Sequence, residues 1–274
     1  SAGLSEPTLR VIERAEVPVK PSRPKVVVNL ALGVLAGLVL ALGAVFGSDH
    51  LDTSVKSTEE VEDLLHLPTL AAIPNFALAR RAAGRDPAPE AAALRTIDRD
   101  ELPVLHEPWS RVAEAFRNMR TAVLFSAAGT PPKLILVTSA RPAEGKTVAS
   151  LNLASTLAEL GARVLLVDAD LRHPRCHAAL GVSNDRGLTT WLAGEDDLDG
   201  LLHALDAPGL FFLPAGPPPR NPADLVGSAR MRLGLDTLRS RFDFVVLDTP
   251  PVLPVTDAVV LAREADGVVL VVKG

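Results

Sequence analysis

The chain has 274 residues, 47% of them apolar and 4% aromatic, enough to bury one or two domains around small aliphatic side chains. Its formal net charge of −5 argues against a nucleic-acid binder held by a broad basic face. One cysteine, Cys176, rules out an intrachain disulfide and fits a reducing compartment, and there is no tyrosine at all.

In chain order, residues 17–25 (VPVKPSRPK) are Pro-rich and read as extended and stiff. Residues 26–47 carry no charge, and Asn29 is their one strongly polar side chain. As a helix they would span about 33 Å, enough for a hydrocarbon core, so a transmembrane helix is expected. A buried core helix this long would rarely be apolar all round. A signal peptide would not follow such a mixed N-terminal stretch. Gly33/Gly37 and Gly43/Gly47 form two G-x-x-x-G pairs. They suit close helix packing, or simply reflect how common glycine is in such helices. Arg10, Arg14, Lys20, Arg23 and Lys25 precede the helix, and Asp49, Asp52, Glu59 and Glu60 follow it. Charge alone therefore puts the N-terminal side in the cytoplasm.

Residues 57–66 read as a short helix, with Ser57 and Glu60 at capping-box spacing and Pro68 beyond its end. Residues 69–74 (TLAAIP) read as a short strand, and 77–103 as a linker rich in Ala, Arg, Asp and Pro. Residues 109–125 have helical spacing at Val112, Ala115, Phe116, Met119 and Val123. Five apolar runs follow, at 134–139, 163–170, 209–215, 242–251 and 266–273, separated by helical stretches such as 146–160. This pattern predicts an α/β fold: a mostly parallel sheet with helices on both faces.

The first run leads through SARPAEGKT (139–147) into a helix. Strand, small-residue loop and helix are the context a phosphate-binding loop requires. Ala140 stands where the usual pattern has its first glycine, which costs little if that position keeps a negative φ. Backbone N–H groups at the helix start attract phosphate. Lys146 adds charge toward the β- and γ-phosphates, and the Thr147 hydroxyl suits Mg²⁺. Ala143, Glu144, Gly145, Lys146, Thr147 and Val148 are the expected nucleotide contacts. Asp168 and Asp170 end the second run and Asp248 the fourth. All three would emerge at the carboxyl edge of the sheet, where open α/β sheets bind ligands. Alone, each would pass for a cap or turn residue. Three in register with GKT make a phosphate site.

Other candidates are weaker. His173 and His177 flank Cys176, but Pro174 interrupts them and no second ligand cluster follows, so a surface loop is expected rather than a metal site. Trp109 and Trp191 are expected to pack rather than bind.

SARPAEGKT, VLLVDADLRHP (164–174) and FVVLDTPP (244–251) resemble the Walker A, A′ and B motifs of the bacterial tyrosine kinases, P-loop proteins related to MinD/ParA ATPases. In that group a residue other than glycine at the Ala140 position is usual. EAFRNMR (114–120) is similar to their oligomerisation motif, through Glu114, Arg117 and Arg120. GLTTWLAGEDDLDGLL and LPAGPPPRNPADLVGSARM are similar to the family's middle segments. The N-terminal third resembles the end of a polysaccharide co-polymerase module, which precedes the kinase in fused members.

The resemblance implies four regions: the end of a periplasmic module (1–25), the span (26–47), a cytoplasmic juxtamembrane segment and linker (48–107), and the kinase/ATPase domain (108–274). It implies a bacterial inner-membrane protein with its ATP site in the cytoplasm, which overrules the local charge rule; an earlier helix outside this chain would set topology. A chain that begins inside a periplasmic module is expected to be a piece of a longer protein. The implied activity is Mg·ATP-dependent tyrosine (auto)phosphorylation in capsule or exopolysaccharide export. Lys146 would hold phosphates, Thr147 would bind Mg²⁺ with Asp248 and Asp168, and Asp168 or Asp170 would serve as the base. Implied partners are further copies in a ring, the export machinery and a cognate tyrosine phosphatase, with no nucleic acid. Two departures matter. Arg141 occupies the signature-lysine position of MinD/ParA proteins, and the family's tyrosine cluster has no counterpart here. An ATPase switch and a chain-length scaffold that uses ATP to hold a ring are the alternatives.

Overall fold

The computed structural model describes residues 25–51, 62, 66–74, 102–126, 129–195 and 197–273. The chain divides into two units, Ser1–Ser54 and Val55–Gly274. Apart from Glu62 and His66, the helix expected over 57–66 lies outside the described residues, as do the 17–24 stretch and most of the 77–103 linker.

In the first unit, helix α1 (Val26–Leu51) is continuous. Its side chains are exposed from Val26 through Phe46, on every side of the helix. Val26–Gly47 is long and apolar enough to cross a membrane, with none of it buried in the protein.

The second unit is built on six strands, β1 (Leu134–Ser139), β2 (Val164–Asp168), β3 (His203–Ala204), β4 (Leu210–Leu213), β5 (Phe244–Asp248) and β6 (Gly267–Val271). Their spatial order is β3-β4-β2-β5-β1-β6. All pairs are parallel except β3 with β4. The five long apolar runs are thus the five parallel strands. Two-residue β3 is too short to leave a periodic signal.

Alternation along each strand feeds two cores. Ile135, Val137, Leu166 and Val246 face one side, packing with Phe116, Leu153 and Leu157. Leu134, Leu136, Leu165, Val167, Val245 and Leu247 face the other, with Leu192, Leu235, Leu238 and Leu261. Both faces are covered, which is why these strands read as unbroken apolar runs.

Helix α2 (Pro103–His106) begins with proline at its first turn, where a missing N–H costs nothing. Leu102 and Val104, at the end of the expected linker, are buried in the first core. Helix α3 (Arg111–Leu124) starts two residues later than the sequence suggests, because the Ser110 side chain caps it by accepting from the Ala113 N–H at 3.1 Å. Trp109 therefore precedes the helix and is 95% exposed, contrary to the expected packing role. Ala113, not Ala115, completes the buried stripe of α3. Residues 69–74 carry no strand among the described residues; Leu70, Ala71 and Ile73 instead pack their side chains against the first core.

Helix α4 (Lys146–Ala158) is almost wholly buried. Its polar side chains survive this by bonding back to their own helix. The Ser155 and Asn152 side chains donate to the carbonyls of Leu151 and Val148, and the single Ser150 hydroxyl proton is shared between the Lys146 carbonyl at 2.9 Å and Asp248 Oδ1 at 3.1 Å. The remaining helices are α5 (Cys176–Leu180), α6 (Leu188–Ala193), α7 (Pro222–Val226), α8 (Ala229–Arg241) and α9 (Asp257–Ala262). Trp191 of α6 lies against Gly234 of α8, where an added Cβ would sit 3.1 Å from the indole, so Trp191 packs as expected.

Candidate functional site

The loop from β1 to α4 sets the site. Gly145 is the N-cap of α4 with φ +96°, a left-handed conformation in which glycine is unstrained. Ala140 is not among the residues with positive φ, but Ala143 is, at +65°. The glycine missing from the motif is therefore not needed where the pattern puts it, and the loop's strain falls three residues later. The Arg141 N–H donates to Glu144 Oε2 at 3.0 Å, and the Ser139 hydroxyl to the Arg141 carbonyl at 2.8 Å, folding the loop on itself.

Carboxylates converge from two strand ends. Asp248 ends β5, between β1 and β2, and pairs in register with both Val137 and Asp168. Asp168 and Asp248 are fully buried and Asp170 is 2% exposed. Lys146 Nζ lies 2.8 Å from Asp170 Oδ2 and 3.7 Å from Asp248 Oδ2. Thr147 donates to Asp248 Oδ2 at 2.8 Å and Ser150 to Asp248 Oδ1 at 3.1 Å. The loop between β2 and α5 turns its backbone inward. Arg175 and Cys176 N–H groups donate to Asp168 Oδ2 at 3.1 and 3.0 Å. The His173 N–H donates to Asp170 Oδ1 at 3.0 Å. Asp168 Oδ1 is buried and has no hydrogen-bond partner among the described residues.

The electrostatics follow from this crowding. Burial, and then the neighbouring Asp248, push the Asp168 carboxyl well above its ordinary value. Burial also raises Asp248, against the pull of Lys146. For Lys146, burial works against the charge, but Asp248 and Asp170 outweigh it and the ammonium is held firmly protonated. Three buried carboxylates thus face one buried ammonium. A divalent cation fits this charge excess, and the oxygens of Thr147, Asp168 and Asp248 are the hard donors that Mg²⁺ prefers.

The structure brings Lys146, Thr147, Asp168, Asp170 and Asp248 together, with Ala143, Glu144, Gly145 and Val148 in the loop and first turn beside them. Sequence reasoning missed Ser150, although it lies one helical turn beyond Lys146 and Thr147 and so shares their face. It also misplaced Cys176. His173 is at the surface and His177 is half-buried, but Cys176 is fully buried, and its thiol donates to Asp248 Oδ2 at 3.4 Å. It is the first residue of α5, anchored by the two N–H bonds to Asp168, and that anchoring turns it inward.

The expected interface residues sit elsewhere, on α3. Arg117 makes a two-point contact with Glu159 at 2.8 and 2.9 Å and also bonds the Pro108 carbonyl and Glu114. Arg120 donates to the Thr156 carbonyl at 2.7 Å. Both arginines thus tie α3 to the end of α4, while the Glu114 side chain is 62% exposed.

Comparison with known proteins agrees with this geometry. Residues 132–274 match the AAA domain family AAA_31. The kinase domain of the Escherichia coli tyrosine kinase ETK superposes with a TM-score of 0.68 at 32% identity, covering 80% of this chain and 82% of that one. The chain belongs to the bacterial tyrosine-kinase family. Among curated members it is 33% identical to the putative tyrosine-protein kinase EpsB of Ralstonia nicotianae over 266 residues, and 33% identical to the tyrosine-protein kinase etk of Escherichia coli K12 over 269. Each alignment takes in 97% of this chain, but only 34% and 37% of those proteins. The chain spans about a third of the length of the tyrosine kinases it matches. The fold shared with the ETK kinase domain implies nucleotide binding.

Proposed function

We propose that the chain is the membrane-anchored catalytic part of a Mg·ATP-dependent protein-tyrosine kinase serving capsule or exopolysaccharide production. The observation that carries this reading is the buried Lys146–Asp170–Asp248–Thr147 network at the N-terminus of α4, joined to family membership.

Each side chain has a role that its position supports. Lys146 and the N–H groups of residues 143–148 hold the β- and γ-phosphates, Lys146 turning from Asp170 toward the added negative charge. Thr147, Asp248 and Asp168 would hold Mg²⁺, which would offset the charge of the phosphates. Either Asp168 or Asp170 would serve as the base: Asp168 Oδ1 has no hydrogen-bond partner among the described residues, and Asp170 Oδ2 is released when Lys146 turns to the phosphates. Transfer then requires little beyond positioning and charge compensation.

Helix α1 anchors the chain in the bacterial inner membrane, with the segment after it on the ATP side. Homo-oligomerisation through Glu114, Arg117 and Arg120 belongs to the same proposal. A neighbour's carboxylate would have to compete with Glu159 for the two arginines. A ring, the export machinery, a tyrosine phosphatase and the co-polymerase character of residues 1–25 rest on the family resemblance. An ATPase switch would use the same phosphate site. Transfer of labelled γ-phosphate to an added tyrosine peptide separates the two. Hydrolysis without transfer would assign the switch.

A further inference from the structure

Cys176 has no part in the proposed phosphoryl transfer, yet it is the first residue of α5 and turns its sulfur into the carboxylate pair. Its Sγ lies 3.4 Å from Asp248 Oδ2. One ligand atom each from Asp168, Cys176 and Asp248 can be chosen so that all three lie within 4.8 Å of one another, and all three residues are buried. Three ligands of a tetrahedral zinc ion, at about 2.0–2.3 Å from the metal, stand roughly 3.3–3.8 Å apart. The sulfur–Asp248 spacing already meets that, and the remaining separations close with side-chain shifts of an ångström or so.

A second observation points to a ligand. Asp168 is fully buried, and its Oδ1 has no hydrogen-bond partner among the described residues. Its other oxygen is fixed by the backbone N–H groups of Arg175 and Cys176. The loop that orients the free carboxylate oxygen is therefore the loop that delivers the thiol.

We propose that Asp168, Cys176 and Asp248 form a site for a thiophilic divalent cation such as Zn²⁺, overlapping the Mg²⁺ position and competing with it. Mg²⁺ demands six oxygen ligands and gains nothing from sulfur. Zn²⁺ accepts one sulfur and two carboxylate oxygens, with water in its fourth position. On binding, the S–H bond breaks, the proton passes to solvent, and a sulfur–metal bond replaces it. No group is oxidised or reduced. The bound ion takes Asp168 and Asp248, the carboxylates that would otherwise hold Mg²⁺. The metal site goes beyond the kinase reading, because cation binding needs neither nucleotide nor transfer.

The test titrates the nucleotide-free full chain, in detergent micelles, with Co²⁺ as a spectroscopic stand-in for Zn²⁺. The expected result is one equivalent bound with a sulfur-to-cobalt charge-transfer band, displaced by Zn²⁺ and not by a large excess of Mg²⁺. Cys176→Ser and Cys176→Ala should both lose the band and weaken Zn²⁺ binding by about tenfold or more. His177→Ala should leave the band in place. A wild-type protein that binds Co²⁺ without the band overturns the proposal, whatever the fate of the variants. So does a band that survives in either cysteine variant or disappears in His177→Ala. Kinase activity can fail with the cobalt result intact, so the two claims fall separately.

Discussion

Asp168 and Asp248 stand opposite each other in register at the carboxyl ends of β2 and β5, both fully buried. Two carboxylates placed this way repel, and burial penalises each charge further, so the pair costs stability until a cation arrives. Asp168→Asn keeps an oxygen for the Arg175 and Cys176 N–H groups and removes one of the two charges. The cation-free variant should be more stable than wild type by about 1–3 kcal/mol, read from urea unfolding, while losing cation-dependent activity. A variant that is both less stable and inactive would count against stored electrostatic strain at this pair.

Ser150 tests how Asp248 is held. Its hydroxyl satisfies one carboxylate oxygen from a position that no solvent reaches. Ser150→Ala should cost about 1–3 kcal/mol, seen as a lower urea midpoint. Affinity for Mg·ATP should fall with it, since Asp248 loses one of its orienting bonds. Unchanged affinity would mean that Thr147, Cys176 and Lys146 position the carboxylate without Ser150.

Ala143 sits at φ +65°, where a side chain costs about 1–2 kcal/mol that glycine avoids. Glycine also leaves the unfolded chain more freedom, which takes back part of the gain. Ala143→Gly should stabilise the fold by about 0.5–1 kcal/mol. Gly145→Ala, at φ +96°, should destabilise it by about 1–2 kcal/mol and weaken nucleotide binding, as isothermal titration would report.

The Arg117–Glu159 contact gives a pH signature. Arg117 holds the Glu159 carboxyl below the ordinary glutamate value of 4.5. A depressed folded pKa contributes stability that is fully present above the unfolded pKa and is lost as pH falls through the folded one. Wild type should therefore exceed Glu159→Gln in stability near neutral pH, with the gap closing below about pH 4.5. A gap that persists at pH 2 would show that packing, not charge, ties α3 to α4.

The fold was legible because buried parallel strands announce themselves as uninterrupted apolar runs, and GKT marks the turn into α4. The strand ends were legible too, since aspartate closing an apolar run is conspicuous. What escaped the sequence depends on neighbours in space. Cys176 looked peripheral because Pro174, His173 and His177 surround it, and only the N–H bonds to Asp168 turn it inward. Residues 69–74 look like a strand by composition, but their apolar side chains pack against the first core instead of joining the sheet. Trp109 looked like packing by residue type, yet the Ser110 cap starts the helix after it and leaves the indole outside.

The central claim is that this site moves phosphate to tyrosine. The direct measurement incubates the chain with labelled Mg·ATP and an added tyrosine peptide, and identifies the phosphoamino acid formed. Because the chain has no tyrosine of its own, every phosphotyrosine detected must lie on the peptide. The account predicts Mg²⁺-dependent phosphotyrosine from wild type and a loss of about a hundredfold or more in Lys146→Met and Asp168→Asn. ATP hydrolysis with no phosphotyrosine, or transfer undiminished in Lys146→Met, would contradict it.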